Sequence, residues 1–231
     1  MMLKYFSNCI SLFYPPYCNG CGNVLVAEEK YLCFSCLKSL PRTDFHTCKD
    51  NPLEMVFAGR VPICRATAFC FFRKGNMVQH LIHQLKYNGN QEIGVYLGRQ
   101  FGLELIQLGV FQSVDIIVPI PLHFKKLKRR GYNQSEKIGK GMIEVMPKPL
   151  DSSSLIRVTD TSTQTKKERF QRWENVLDIF QLTRTDLLAG KHILLIDDVI
   201  TTGATTESAA QLLLTLPAVK VSIACIGYAG S

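Results

Sequence analysis

The stretch Ile193-Leu194-Leu195-Ile196-Asp197-Asp198-Val199-Ile200-Thr201-Thr202-Gly203-Ala204-Thr205 decides how this chain is read. Four apolar residues in a row predict a strand buried on both faces, the kind found in parallel sheets covered by helices. Two adjacent carboxylates stand where that strand is expected to end, and open α/β sheets bind ligands outside the carboxyl ends of their strands. A turn of threonines, glycine and alanine then leads into a helix. Such a turn presents backbone N–H groups and up to three hydroxyls to one anion, and the helix N-terminus adds a favourable dipole. Gly203 is expected to let a phosphate approach the backbone. Asp197 and Asp198 are placed to accept sugar hydroxyls or to bind magnesium. Together these groups fit a sugar 5-phosphate lying across the strand end. The bland alternative is a plain buried strand with an Asp-capped loop. An ATPase strand has the same apolar-then-acidic pattern, but it needs G-x-x-x-x-G-K-[S/T] upstream. Neither Gly139-Lys140 nor Gly190-Lys191 supplies that motif.

Working outward, strand and helix alternate from residue 114 onward. Val114 to Val118 is a short apolar run closed by Pro119-Ile120-Pro121. Asn133 with Glu136 is a capping-box signature for a helix to about Met146. Leu155 to Val158 reads as strand, residues 164–175 as a charged helix, His192 to Ile196 as strand, Gly203 to Leu216 as helix and Val219 to Ile226 as strand. This alternation predicts an α/β fold with a parallel sheet and flanking helices. Upstream, residues 65–72 are β-prone. Asn76 is placed to cap a helix to about Tyr87 with Met77, Leu81 and Leu85 inward. A second helix carries Ile93, Leu97, Phe101, Leu105 and Leu108 on one stripe. Residues 46–62 show no clean period and read as a linker. The expected organisation is therefore residues 1–45, a linker 46–62 and an α/β domain 63–231.

The amino-terminal part is marked by cysteine. Cys18-Asn19-Gly20-Cys21 and Cys33-Phe34-Ser35-Cys36 are two C-x-x-C pairs, and five of the nine cysteines are scattered elsewhere. An odd number excludes a fully paired intramolecular disulfide set. Two knuckles of paired thiolates suit tetrahedral zinc, so Cys18, Cys21, Cys33 and Cys36 are the candidate structural metal ligands. Redox dithiols and unmetallated core cysteines are the alternatives. Haem attachment is excluded, since neither pair is followed by His. Leu3, Phe6, Ile10 and Phe13 recur at helical spacing before Pro15-Pro16. They read as a short docking helix on a cytoplasmic protein, without the basic start and A-x-A site of a signal peptide.

The chain has 231 residues, 46% apolar and 20% charged, which excludes a mainly disordered polypeptide. No apolar run approaches the ~18–20 residues of a membrane span. A net charge of +8 fits a phosphate-rich partner, nucleotide or nucleic acid.

The acidic strand and threonine turn resemble the type I phosphoribosyltransferases. That resemblance implies acids on the ribose hydroxyls (Asp197, Asp198) and a 5-phosphate loop (Thr201, Thr202, Gly203, Ala204, Thr205), with phosphoribosyl pyrophosphate as ligand and Mg²⁺ alongside. The chain more widely resembles the ComF family of competence and GntX-like proteins. Phe13-Tyr14-Pro15-Pro16-Tyr17-Cys18, Lys86-Tyr87-Asn88-Gly89, Val118-Pro119-Ile120-Pro121-Leu122-His123, Arg129-Arg130-Gly131-Tyr132-Asn133-Gln134, and Arg157, Thr161, Gln164, Arg172, Asn175 and Phe180 carry that likeness. Lys166-Lys167 departs from it, where a small and an apolar residue are expected. The family implies a phosphoribosyltransferase-like domain behind a zinc finger, and for its competence members a cytoplasmic role with incoming single-stranded DNA. It implies no acceptor nucleophile, and no residue is assigned a catalytic role. Thr201 stands where some purine-salvage relatives carry an Asp, and threonine is a poor proton acceptor at neutral pH.

Lys125, Lys126, Lys128, Arg129 and Arg130 crowd six positions between Phe124 and Tyr132. With His123 and Gln134 they are candidates for a pyrophosphate or a nucleic-acid strand; a solvated face is the alternative. Lys166, Lys167, Arg169 and Arg172 read mainly as a solvated helix, Trp173 as packing, and His80 and His83 as surface or capping residues. Three functions remain open: a DNA-uptake accessory that uses or senses the phosphosugar, a metabolic phosphoribosyltransferase with an unidentified acceptor, and a non-catalytic sensing module.

Overall fold

A computed structural model describes residues 15–107, 109, 111–159 and 179–230. The expected helix from Leu3 to Phe13, Leu108, and the charged stretch 164–175 with Lys166, Lys167, Arg172 and Trp173 lie outside the described residues. Four strands form one parallel sheet: β1 (Ala66–Phe71), β2 (Ile116–Pro119), β5 (His192–Ile200) and β6 (Lys220–Tyr228), in the order β1-β6-β5-β2. A small antiparallel pair, β3 (Leu155–Arg157) and β4 (Phe180–Leu182), stands apart. The α/β prediction is borne out.

Each face of the sheet has its own core. Leu194 and Ile196 of β5 face one side, where they join α3 (Met77–Tyr87), α4 (Gln91–Gln107) and α6 (Gln134–Ile143) through Leu81, Leu85, Leu97, Phe101, Ile138 and Met142. Ile193 and Leu195 face the other side, with α7 (Ala204–Leu213), Leu53, Phe57, Leu155 and Phe180. The alternation follows from the two-residue period of a strand; apolar residues at both phases require cover on both faces. Helices α4 and α6 touch backbone to backbone. A Cβ on Gly98 would stand 2.0 Å from the Ile138 carbonyl oxygen, and one on Gly141 1.9 Å from that of Val95. These two glycines are therefore a packing requirement.

Residues 46–62 are not a linker. They carry α2 (Pro52–Phe57), started by Asn51, whose side chain accepts from the N–H groups of Leu53 and Glu54, with Pro52 at the first helical position. Leu53 and Phe57 are fully buried. A helix of six residues is too short to show a period, so periodicity could not reveal it. The cysteine module also packs into the main structure. Cys18, Leu25, Leu32, Cys36 and Leu40 belong to the same core as α3 and α4. Within it, α1 (Phe34–Lys38) follows Cys33.

One expectation about a cap needs revision. Asn133 does cap α6, accepting from Ser135 N–H, but Glu136 pairs with Lys140 at 2.7 Å, one turn along. The basic run is itself a helix, α5 (Phe124–Arg130), ended by Gly131 in the left-handed region. No helix among the described residues is long and apolar enough to cross a membrane.

Candidate functional site

Strand β5 does not end at the acids. It pairs with β6 as far as Ile200 opposite Tyr228, whereas its pairing with β2 stops at Ile196 opposite Pro119. Asp197 and Asp198 thus stand where β2 has turned away and β5 is still held straight by β6. An edge opens beside two rigidly placed carboxylates.

Their surroundings come from distant parts of the chain. Lys86 Nζ, from the last turn of α3, lies 2.9 Å from Asp198 Oδ1. Ser135 Oγ, from the first turn of α6, donates to Asp197 Oδ1 at 3.2 Å, and the Asp198 N–H donates to the same oxygen at 2.8 Å. Burial and, next, the adjacent Asp198 charge push the Asp197 carboxyl up to about 7, against the pull of the Asp198 N–H, Lys86 and Ser135.

The turn beyond runs through exposed Thr201 and Thr202 to buried Gly203, which precedes α7 with φ +75°. Ala204 is exposed and Thr205 half-buried on the first turn. The opening N–H groups of a helix lack intrahelical acceptors, so this turn is a donor-rich cradle. Gly203 answers to packing. A Cβ there would meet Val56 Cγ1 at 2.9 Å and Phe57 Cε1 at 3.0 Å, and the left-handed backbone itself disfavours a side chain. Arg60 was missed by sequence reasoning. Its Nη1 donates to the carbonyls of Thr202 (3.1 Å) and Val56 (3.0 Å), and its Nη2 pairs with Glu207. The presumed linker therefore forms the floor and brace of the threonine turn. Lys86 carries no local signal that would place it on an acid more than a hundred residues away.

The basic helix lies at the same end. Arg130 stands over the Tyr87 ring at 5.6 Å, and the His83 and Tyr87 rings are 4.7 Å apart. Tyr87 and Phe124 are 65% and 64% exposed. Lys125, Lys128 and Arg129 are exposed, while Lys126 and Arg130 are half-buried. His123 serves the entry of α5: it is buried, its ring packs on Phe124, and its carbonyl accepts from the N–H groups of Lys126 and Leu127. Gln134, 1% exposed, opens α6 beside Ser135.

In the cysteine module, Sγ atoms of Cys18, Cys21, Cys33 and Cys36 all lie within 4.8 Å of one another. Cys21 and Cys33 sulfurs are 3.8 Å apart, close to the spacing that tetrahedral metal–sulfur bonds of ~2.3 Å demand. Burial raises the Cys18 thiol, but N–H groups of Cys21, Cys33 and Gly20 outweigh it and bring Cys18 down to about 6. Burial raises the neighbouring Cys36 thiol, so it is the four-sulfur geometry that fits a structural metal.

Parallel sheet, acid pair and threonine turn define a phosphoribosyltransferase-type domain. The phosphoribosyl transferase domain family matches residues 116–231. DNA utilization protein YhgH of Escherichia coli (strain K12) is 34% identical over 149 residues, which span 63% of this chain and 65% of that protein. Competence protein F of Haemophilus influenzae is 26% identical over 212 residues, 90% of this chain and 82% of the relative. Competence protein ComFC of Bacillus subtilis is 26% identical over 204 residues, covering 82% and 80%. The chain belongs to the ComF family of the type I phosphoribosyltransferase superfamily.

Proposed function

We propose that the chain binds phosphoribosyl pyrophosphate or a closely related phosphosugar at the end of β5. The 5-phosphate lies on Thr201, Thr202, Gly203, Ala204 and Thr205, and the ribose hydroxyls on Asp197 and Asp198. One observation carries this reading: a rigid acid pair runs directly into a braced, donor-rich helix start at a strand end left open by β2. Magnesium travels with the ligand's diphosphate, and zinc fills the four-cysteine cluster. Replacing both acids by Asn preserves shape and removes charge. Hydrogen bonds to charged groups are worth ~1.5–3 kcal/mol each, so phosphoribosyl pyrophosphate affinity measured by calorimetry should fall at least tenfold. Unchanged affinity in the double variant would refute the assignment.

We further propose a cytoplasmic role in handling single-stranded DNA during uptake, with Lys125, Lys126, Lys128, Arg129 and Arg130 on the backbone phosphates. The exposed Tyr87 ring beneath Arg130 supports this, since basic residues interleaved with aromatic rings suit unpaired strands. The relatives' names, competence protein and DNA utilization protein, point the same way.

A further inference from the structure

The acid pair already has a cation of its own. Lys86 Nζ is 2.9 Å from Asp198 Oδ1, with the two side chains 25% and 11% exposed. The helix end that delivers it is fixed. Leu81, Ile82 and Leu85 anchor α3 in the core, the Tyr132 hydroxyl donates to the Leu85 carbonyl, and the Asn88 N–H donates to the Gln84 carbonyl at 3.1 Å. On the other carboxylate, Ser135 and the Asp198 amide donate to Asp197.

This arrangement treats two kinds of visitor differently. A divalent ion approaching Asp198 meets an ammonium of like charge at contact distance, in a partly buried place where screening is weak. Sugar hydroxyls carry no charge and meet no such repulsion. An ionised carboxylate has about four lone-pair sites, so one ammonium leaves room for hydroxyl donors.

We propose that Lys86 is a specificity-determining residue of this site, a fixed counter-cation that keeps divalent metal off the acid pair and leaves the pair to the vicinal hydroxyls of a sugar. The inference rests on the phosphosugar reading above. Under it, metal reaches the site only on the ligand's diphosphate.

The test is a Mn²⁺ titration of the ligand-free, full-length protein followed by electron paramagnetic resonance. Mn²⁺ prefers carboxylate oxygen to thiolate, so the cysteine cluster does not compete. Lys86→Met should bind Mn²⁺ at least tenfold more tightly than the native protein, and adding Asp198→Asn should abolish the gain. Lys86→Arg keeps the charge and should exclude the metal as the native protein does, which also controls for a folding defect in the Met variant. Native protein that binds Mn²⁺ as tightly as Lys86→Met would overturn the proposal. So would a folded Lys86→Met variant that still excludes the ion, or a gain that survives Asp198→Asn. Calorimetry with phosphoribosyl pyrophosphate is run separately. Native protein without affinity for it would sink the phosphosugar reading, whereas the metal titration decides the role of Lys86.

Discussion

In the cysteine module all four sulfurs come from the single stretch Cys18 to Cys36, and the backbone N–H groups that steady them come from the same stretch. The strand-end site draws on Arg60, Lys86, Ser135 and Asp197 to Glu207, brought together only when the sheet forms. Loop-closure entropy opposes such long-range gathering, so the rest of the fold must hold it. Each contributor to the strand-end site is accordingly held by core residues close to it in the chain: Lys86 by Leu85, Ser135 by Ile138 and Met142, and Arg60, which braces the threonine turn, by Phe57. A locally closed site depends on its ligand for order, and a gathered site depends on the core.

The largest expected effect tests the first half of this contrast. Cys18→Ser removes one sulfur from the cluster. Zinc binding by small modules is worth on the order of 10–16 kcal/mol and is coupled to folding. Metal content by mass spectrometry should fall from about one equivalent to near zero, and hydrogen exchange should rise across residues 15–45. Because Cys18, Leu25 and Leu32 share a core with α3 and α4, the melting temperature should fall as well. A variant with the metal content of the native protein would break the comparison.

The second prediction concerns what gathering two carboxylates costs the fold. Asp197 is raised to about 7 by burial first and by Asp198 second, against 3.8 for an ordinary Asp. Between those values the native state holds a proton that the unfolded chain has lost. Stability therefore falls as pH rises from about 4 to about 7 and is level above that. Asp197→Asn removes the charge and keeps an oxygen for Ser135 and for the Asp198 N–H. It should leave stability nearly unchanged at pH 4 and raise it by roughly 4 kcal/mol at pH 8, measured by urea unfolding. Equal gains at both pH values would show that the effect does not come from the carboxylate charge.

The smallest effect sharpens the boundary between the strand-end site and its neighbouring helix. Each phosphate contacted on a single strand adds about 0.7 to the slope of log affinity against log salt. Replacing Lys125, Lys126 and Lys128 by Gln should flatten the slope for single-stranded DNA by up to roughly two units. The Asp197→Asn, Asp198→Asn double variant should leave that slope alone. A native slope in the triple variant would make α5 a solvated face.

Much of this was legible in the sequence, and the reason is locality. The C-x-x-C pairs, the buried run Ile193 to Ile196, the acid pair and the threonine turn are contiguous, so spacing alone marked them as candidates. Alternating strand and helix patterns likewise fixed the α/β class, and Asn76 and Asn133 marked helix starts that the structure confirms. Other features were invisible because they depend on what lies across the fold. Residues 46–62 looked patternless because a six-residue helix is shorter than two turns. Glu136 matched a cap in sequence but found a better partner in Lys140. The continuation of β5 to Ile200 was set by β6, a strand almost thirty residues further on. Lys86 and Arg60 are ordinary surface cations by composition. Only tertiary packing decided that one would neutralise Asp198 and the other would brace the threonine turn, because electrostatic partnership follows distance in space and not position along the chain.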